Sequence, residues 1–188
     1  MRVLVGEDET LIRLDLRGML ESAGYEVCAE AHDGAEAVEL ARTTEPELAL
    51  LDVKMPGLDG IEAARRILDE RPIPIVIVSA YTERSLVERA AEAGVFGYLA
   101  KPFREEDLLP AIATARARFT QLAAVREQVD TLADALAARK AIERAKGILM
   151  EKQSLTEEVA FARLRKASQV SGKPMRVIAE AIIETFVG

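Results

Sequence analysis

The sequence predicts an α/β fold: a doubly wound parallel sheet of five strands, followed by helices. Residues 1–117 alternate short apolar runs with amphipathic segments at helical spacing, which is the pattern of βα units. The run at residues 48–52 is apolar up to its last residue, as expected for a strand buried on both faces. Residues 111–146 contain neither Gly nor Pro, which predicts one long helix after the last βα unit.

Each predicted element in residues 1–117 has a local signal in the sequence. The strands cover residues 3–5, 26–30, 48–52, 75–79 and 97–99, and the helices cover residues 11–22, 34–43, 61–70, 85–93 and 105 onward. Gly24 and Gly94 follow the first and fourth helices, where glycine commonly ends a helix. Because a helix joins each strand to the next, the strands should be parallel, with helices on both faces of the sheet.

The composition is that of a globular protein with one large or two small domains. Of the 188 residues, 49% are apolar and 30% are charged, whereas 4% are aromatic and none is Trp. Cys28 is the only cysteine, so a disulfide within one chain is excluded. No basic segment precedes a long apolar run, and no apolar run approaches the length of a membrane span. These features predict a cytoplasmic protein.

Charged side chains stand at the ends of three predicted strands. Glu7 and Asp8 follow the first strand, Asp52 ends the third, and Lys101 follows the fifth. Adjacent parallel strands would bring these groups to one edge of the sheet, where open α/β folds place their sites. Three carboxylates need a cation, and Mg²⁺ suits them because it takes carboxylate and phosphate oxygens. Asp52 would then be a nucleophile whose acyl phosphate is neutralised by the metal and by Lys101.

Each of these acids alone would more often be structural, because turns favour Asp, so the joint pattern carries the argument. The pattern is the acidic pair and Asp52, then Met55-Pro56-Gly57-Leu58-Asp59-Gly60, Ser79-Ala80 and Lys101-Pro102-Phe103. With this set, residues 1–117 resemble the receiver domain of two-component response regulators. The resemblance implies a flavodoxin-like sheet with strand order 2-1-3-4-5.

The resemblance also implies how the site works. Asp52 would accept a phosphoryl group from a sensor histidine kinase. Asp8 and Asp52 would bind Mg²⁺ together with the carbonyl of Lys54, and Glu7 would do so directly or through water.

Three further roles follow from the same resemblance. Ser79 would bond one phosphate oxygen and Lys101 another. Tyr98 would be a rotamer switch coupled to Ser79; the alternative is an ordinary half-buried strand tyrosine. No nucleophile–base pair or second metal cluster follows residue 117, so we expect no enzyme beyond autophosphorylation and autodephosphorylation of the acceptor.

The predicted long helix carries an apolar stripe with spacings of three and four residues. We call it the seam, and it comprises Phe119, Leu122, Val125, Val129, Leu132 and Leu136. A heptad seam of this kind predicts a coiled-coil linker over residues 118–138. The partner would be a second copy of the chain, giving a homodimer on phosphorylation. The alternative is a single amphipathic helix packed on its own domain.

The charge of the chain divides near residue 138. Residues 139–188, which we call the tail, carry ten Lys/Arg against six Asp/Glu, a net +4, whereas residues 1–138 carry −11. The tail shows three helix signals: the end of the long helix, a helix that starts at Ser154 or Thr156, where residues 154–157 fit a capping box, and one opened by Pro174. These predict a small three-helix bundle. Its only aromatics, Phe161 and Phe186, are expected on apolar faces.

The tail resembles the ANTAR domain, the RNA-binding output of AmiR- and NasR-type transcription antiterminators. The matching residues are Ile142, Ala145-Lys146-Gly147-Ile148-Leu149-Met150, Ala160-Phe161, Leu164-Arg165, Ala167 and Ala179. The resemblance implies dimers that grip paired RNA hairpins and prevent a terminator from forming. The candidate RNA contacts are Arg144, Ala145, Lys146, Gly147 and Arg165.

Two other outputs remain open for the tail. Ten basic residues can neutralise phosphates, but a charge run is often only a solvated face. A DNA-binding helix-turn-helix could turn at residues 171–174, although Arg176 with Glu180 and Glu184 makes a poor recognition helix. The tail could also be a protein-interaction module. With both phenylalanines expected on apolar faces, we do not expect bases to stack on them.

Overall fold

The computed structural model describes residues 1–80 and 84–187. The chain divides into two compact units, Met1–Ala123 and Ala124–Gly188. The strands are β1 (Arg2–Gly6), β2 (Glu26–Ala31), β3 (Leu48–Asp52), β4 (Ile75–Ser79) and β5 (Gly97–Ala100). The helices are α1 (Thr10–Ser22), α2 (Gly34–Thr44), α3 (Gly60–Glu70), α4 (Arg84–Glu92), α5 (Glu105–Gln153), α6 (Glu157–Ser171) and α7 (Met175–Val187).

The first unit is a five-stranded parallel sheet with the order β2-β1-β3-β4-β5. The predicted fold class and strand order are therefore confirmed. Every residue of the central strands β3 and β4 is buried, which explains their nearly continuous apolar sequence. Alternate residues of these strands enter two separate core clusters, one on each face of the sheet.

Two aspartates start the helices that follow β2 and β3. The Asp33 carboxylate accepts a hydrogen bond from the Glu36 amide at 2.8 Å, and the Asp59 carboxylate accepts one from the Glu62 amide at 2.8 Å. Each side chain thus satisfies a backbone donor that has no partner within its helix. The α3 cap matters for the site, because it fixes where the chain turns after Asp52.

The second unit packs the end of α5 against α6 and α7. Its core consists of small and medium apolar residues: Ala145, Leu149, Ala160, Leu164 and Ala179. Gly172, with a φ of 69°, ends α6 in the left-handed conformation that suits glycine. Among the described residues, no helix combines the length and apolarity needed to cross a bilayer.

The structure decides between the two predicted starts of α6 and contradicts the expected burial of the two phenylalanines. Thr156 rather than Ser154 caps α6, because its side chain accepts from the Val159 amide and Ser154 has a φ of 53°. The start at Thr156 is therefore confirmed, and the capping box predicted at residues 154–157 is wrong. Phe161 and Phe186 are each 41% exposed and lie outside the buried core, which small residues such as Ala160 fill instead.

The seam is largely solvent-exposed in the part of the chain that the structure describes. Phe119 alone is half-buried, and its ring meets that of Phe96 edge-on with the centroids 5.4 Å apart. The exposed seam residues are Leu122, Val125, Val129, Leu132 and Leu136, from 38% at Leu122 to 70% at Leu132. Packing of the helix on its own domain therefore accounts for Phe119 and leaves the other five seam residues without cover.

Candidate functional site

Three carboxylates and one ammonium meet at the carboxyl edge of the sheet. Glu7, Asp8 and Asp52 each place a carboxylate oxygen within 4.8 Å of the other two. The Lys101 Nζ donates to Glu7 Oε2 at 2.7 Å and lies 3.1 Å from Asp52 Oδ2. The four residues predicted from strand ends are thus brought together by the structure.

The sheet register explains why these side chains converge. β1 lies beside β3, with Gly6 opposite Leu51, so the residues that follow Gly6 stand next to Asp52. β4 joins β3 to β5, and the Lys101 amide donates to the Ser79 carbonyl at 2.8 Å. Parallel strands present all of their carboxyl ends at one edge, so the topology itself assembles the cluster.

Burial dominates the electrostatics of the cluster. It raises the pKa of Glu7, which is 0% exposed, and the pKa of Asp52, although hydrogen bonds from Lys101 act in the opposite direction. Burial alone would lower the pKa of Lys101, but hydrogen bonds to the two acids outweigh it and raise that pKa. Three acids facing one lysine leave an excess of negative charge in a partly dehydrated site.

That excess fits a divalent cation. Asp8 is exposed, whereas Asp52 is only 6% exposed. One side of the carboxylate cluster therefore faces solvent and the other faces the protein interior. Mg²⁺ favours oxygen ligands, binds through one or two carboxylates and keeps several waters, so the exposed side of the cluster suits its remaining coordination. Glu7, Asp8 and Asp52 are the residues that would hold it.

The other predicted site residues lie close by in the fold. Ser79 ends β4 and is 1% exposed, and Tyr98 is half-buried on β5 opposite Ile77. Tyr98 packs against the core cluster that contains Ile77. Because side chains alternate along a strand, Ile77 and Ser79 lie on the same face of the sheet. The Lys54 amide donates to the Asp52 carboxylate. The predicted roles of Ser79, Tyr98 and the Lys54 carbonyl remain predictions.

Arg13 is a site residue that the sequence analysis missed. Its guanidinium is almost fully buried, donates to the Glu7 carbonyl at 2.6 Å and lies 3.4 Å from Glu30 on β2. It thereby fixes the backbone that carries the acidic pair. The available signal was a charged residue at position 13 in a helix that otherwise buries Leu16 and Leu20 on that side.

A cleft of about 730 Å³ opens beside the cluster. Asp8 and Lys54 line it together with Arg89 of α4, whose guanidinium pairs with Asp59 at 2.9 Å. Asp59 therefore caps α3 and binds α4 at the same time. The cleft leaves the Asp8 side of the cluster open to small molecules.

The candidate RNA contacts of the tail fall into two groups. Arg144, Gly147 and Arg165 are exposed, and a Cβ added at Gly147 would meet nothing within 4 Å. Ala145 is 0% exposed and forms part of the core, so it offers no surface here. The Lys146 ammonium lies 2.9 Å from Glu143 and 2.7 Å from Glu157, with its side chain 10% exposed.

A parallel five-stranded sheet with this acidic cluster and lysine at its carboxyl edge defines a domain of the receiver class. The model of the response regulator receiver domain matches residues 3–113, and that of the ANTAR domain matches residues 130–183. The chain belongs to the response regulator family and carries an ANTAR domain at its carboxyl end.

Individual proteins agree with this assignment. The transcriptional regulatory protein PdtaR of Mycobacterium tuberculosis is 48% identical over 185 residues, which cover 98% of this chain and 90% of that protein. The chemotaxis protein CheY of Thermotoga maritima is 34% identical over 59% of this chain and 93% of its own length. The solved response regulator domain of Thermotoga maritima CheB superimposes with a TM-score of 0.58 at 31% identity, covering 62% of this chain and 96% of that one.

Proposed function

We propose that the chain is a phosphorylation-activated response regulator whose ANTAR tail binds RNA hairpins and acts as a transcription antiterminator. The observation that carries the proposal is the Asp52 carboxylate, held beside two acids and the Lys101 ammonium in a chain with a basic tail. The chain would be cytoplasmic, and a sensor histidine kinase would be the phosphoryl donor. The chain would act as an acceptor and have no separate catalytic output.

The residues of the cluster support phosphoryl transfer to Asp52. An Asp52 oxygen forms the bond to phosphorus while the bond from phosphorus to the donor's leaving group breaks. Lys101 is close enough to Asp52, at 3.1 Å, to pair with the negative charge that the phosphoryl group brings. Mg²⁺ bound by the acids would neutralise further charge on the phosphoryl oxygens.

The exposed seam supports self-association of the linker. The positions that flank it in heptad register are Gln121, Arg126, Gln128, Ala133 and Ala135. Of these, only Arg126 is charged. Two copies can therefore pack along the seam without a row of like charges. Phosphorylation would favour this dimer, which would present two tails to paired RNA hairpins.

The double variant Leu132→Glu and Leu136→Glu should prevent dimerisation of the phosphorylated chain. Both leucines are more than half exposed, so the folded monomer should tolerate glutamate, whereas a dimer would have to bury four carboxylates. Sedimentation velocity with acetyl phosphate and Mg²⁺ measures the dimer fraction. Ala124→Glu with Thr131→Glu, on the opposite side of the same helix, is the matched control and should leave the dimer intact. An unchanged dimer in the seam variant would refute the seam as the interface.

The exposed cations of the tail support RNA binding over DNA binding. Arg144 and Arg165 are exposed, and the described residues provide neither with an ion pair. In contrast, Arg176, the only basic residue of α7, donates to Glu180 at 2.8 Å and to Asp134 at 3.1 Å. A recognition helix whose single cation is already engaged is poorly equipped to read a major groove.

Arg165→Ala should weaken hairpin binding and flatten the plot of log affinity against log salt by roughly 0.7 to 0.9, because one phosphate contact is lost. Lys146→Ala should also weaken binding, because it leaves the Glu143 and Glu157 carboxylates without the ammonium that they share. Filter binding at four salt concentrations measures both quantities.

Two controls accompany this measurement. Arg42→Ala, in the receiver unit, should change neither the affinity nor the slope. Matched double-stranded DNA should compete poorly, because loop bases rather than a groove are read. Equal competition by that DNA would favour the helix-turn-helix alternative, and an unaltered slope for Arg165→Ala would exclude a phosphate contact there.

A further inference from the structure

The largest apolar side chain of α6 lies outside the core of the tail. Phe161 is 41% exposed, whereas Ala160 before it and Leu164 after it are both 0% exposed. The tail has only one other phenylalanine and no Tyr or Trp. An aromatic ring that the core does not use, in a domain with so few aromatics, points to a contact outside the chain.

A free cation stands one turn beyond this ring. Arg165 follows Phe161 by four residues, so the two side chains share a face of α6, about 6 Å apart along its axis. Arg165 is exposed, and no described residue forms an ion pair with it. Two other cations near the ring already have partners: Arg163 donates to Gln153, and Lys146 is held by two glutamates.

The acid one turn before the ring on the same stripe is ion-paired. Glu157 lies one turn before Phe161, and its carboxylate accepts from Lys146 at 2.7 Å, which lowers the pKa of Glu157. Without Lys146, a free carboxylate at this place would repel a phosphate backbone. The stripe therefore runs from an ion-paired acid through an exposed ring to an exposed guanidinium.

An aromatic ring beside a guanidinium can bind an unpaired nucleotide. The flat ring offers its face to a base, and the guanidinium offers two donors to a phosphate. A base in a duplex is stacked on its neighbours and cannot reach such a platform, whereas a splayed loop base can. The net charge of +4 on the tail favours this ligand over a basic or neutral peptide.

We propose that Phe161 is a stacking platform for one unpaired base of the RNA hairpin loop, and that Arg165 binds a phosphate next to that base. The assignment rests on the proposed function and adds to it the part of the RNA that α6 recognises. Lys146 then acts through Glu157, by removing its charge from the approach to the platform. Because every base has a π face, the platform selects unpaired bases and tolerates different sequences.

The experiment uses the full-length chain and a hairpin RNA with a single-stranded loop. Phe161→Leu keeps an apolar side chain and removes the ring, so affinity should fall about 10-fold with an unchanged salt slope. Phe186→Leu removes the other aromatic of equal exposure and should leave the affinity unchanged. Circular dichroism verifies that both variants are folded.

A second variant reports on stacking directly. The chain has no Trp, so Phe161→Trp introduces a single fluorophore at the platform. Hairpin RNA should quench its emission, and a blunt duplex of the same stem should not. This variant should bind the hairpin at least as tightly as the wild type, because the larger ring stacks on a base equally well.

The outcomes separate this proposal from the proposed function. Wild-type affinity in Phe161→Leu together with unquenched Trp emission at saturating hairpin would overturn the platform, while leaving RNA binding in place. A Phe161→Leu variant that sediments differently would show that the ring contacts a second chain, which also overturns it. Failure of the wild type to bind any hairpin, phosphorylated or not, would remove the proposed function itself.

Discussion

Asp52→Asn should abolish Mg²⁺-dependent phosphorylation of the chain by acetyl phosphate. The substitution keeps the size of the side chain but replaces the attacking carboxylate with a neutral amide, which is not a nucleophile for phosphorus. It also removes one of the three oxygen donors of the acidic cluster. Intact-mass spectrometry should show one added phosphoryl group on the wild type and none on the variant.

Two neighbouring acids offer alternative acceptors, so the loss of labelling is specific evidence for Asp52. Glu7 and Asp8 lie in the same cluster, and either could in principle accept a phosphoryl group. Asp33→Asn is the matched control, because Asp33 caps a helix elsewhere in the unit and Asn is an equally good cap. It should be labelled like the wild type. Full labelling of Asp52→Asn would move the acceptor to another residue of the cluster.

Gly60→Ala should destabilise the receiver unit by about 3 kcal/mol or more and distort the phosphorylation site. A Cβ at this position would lie 1.8 Å from the Asp52 carbonyl oxygen and 2.8 Å from its carbonyl carbon. Both atoms are backbone, so no rotation of a side chain relieves the clash. The start of α3 would have to move away from the residue that carries the acceptor, although the Gly60 amide is bonded to the Val53 carbonyl at 3.0 Å.

Gly18→Ala is the matched control for this prediction. Gly18 lies within α1, and an added Cβ would meet nothing within 4 Å. Alanine there should stabilise the unit by about 0.5 to 1 kcal/mol, because it restricts the unfolded chain and favours the helix. Urea denaturation measures both changes. Equal stability of the two variants would contradict the close approach of Gly60 to Asp52.

The fold of the first unit could be predicted because its signals are local. The apolar strand β3, the glycines after α1 and α4 and the aspartate caps each specify an element without knowledge of the rest. The acidic cluster then follows from topology alone, since parallel strands place their carboxyl ends together. Arg13 could not be predicted, because its partner is a backbone carbonyl six residues away that only the turn between β1 and α1 exposes.

In the tail, helical spacing does not predict which apolar side chains are buried. Phe161 and Leu164 are three residues apart and both suit a core, yet only Leu164 faces α5 and α7. The choice depends on where the other helices approach, which the period of a single helix does not contain. The same reason places Ala145 inside and Lys146 in an ion-paired cluster, although a motif groups them with exposed Gly147.

The seam illustrates a second limit. An apolar stripe at heptad spacing is needed whether a helix packs on its own domain or on a second chain, so the pattern alone predicts both. Within residues 1–80 and 84–187, the start of the seam packs on its own domain and the rest of the seam does not. Phe119 packs against Phe96, whereas Leu132 is 70% exposed.

Control of RNA binding by the receiver is tested most directly by the hairpin-RNA affinity of the chain before and after phosphorylation of Asp52. Sedimentation velocity with a labelled hairpin measures the assembly state and binding together. We expect acetyl phosphate with Mg²⁺ to convert the wild type to a dimer that binds the hairpin at lower protein concentration, and we expect no response from Asp52→Asn. Equal RNA affinity of the phosphorylated and unphosphorylated wild type would contradict control of the tail by the receiver.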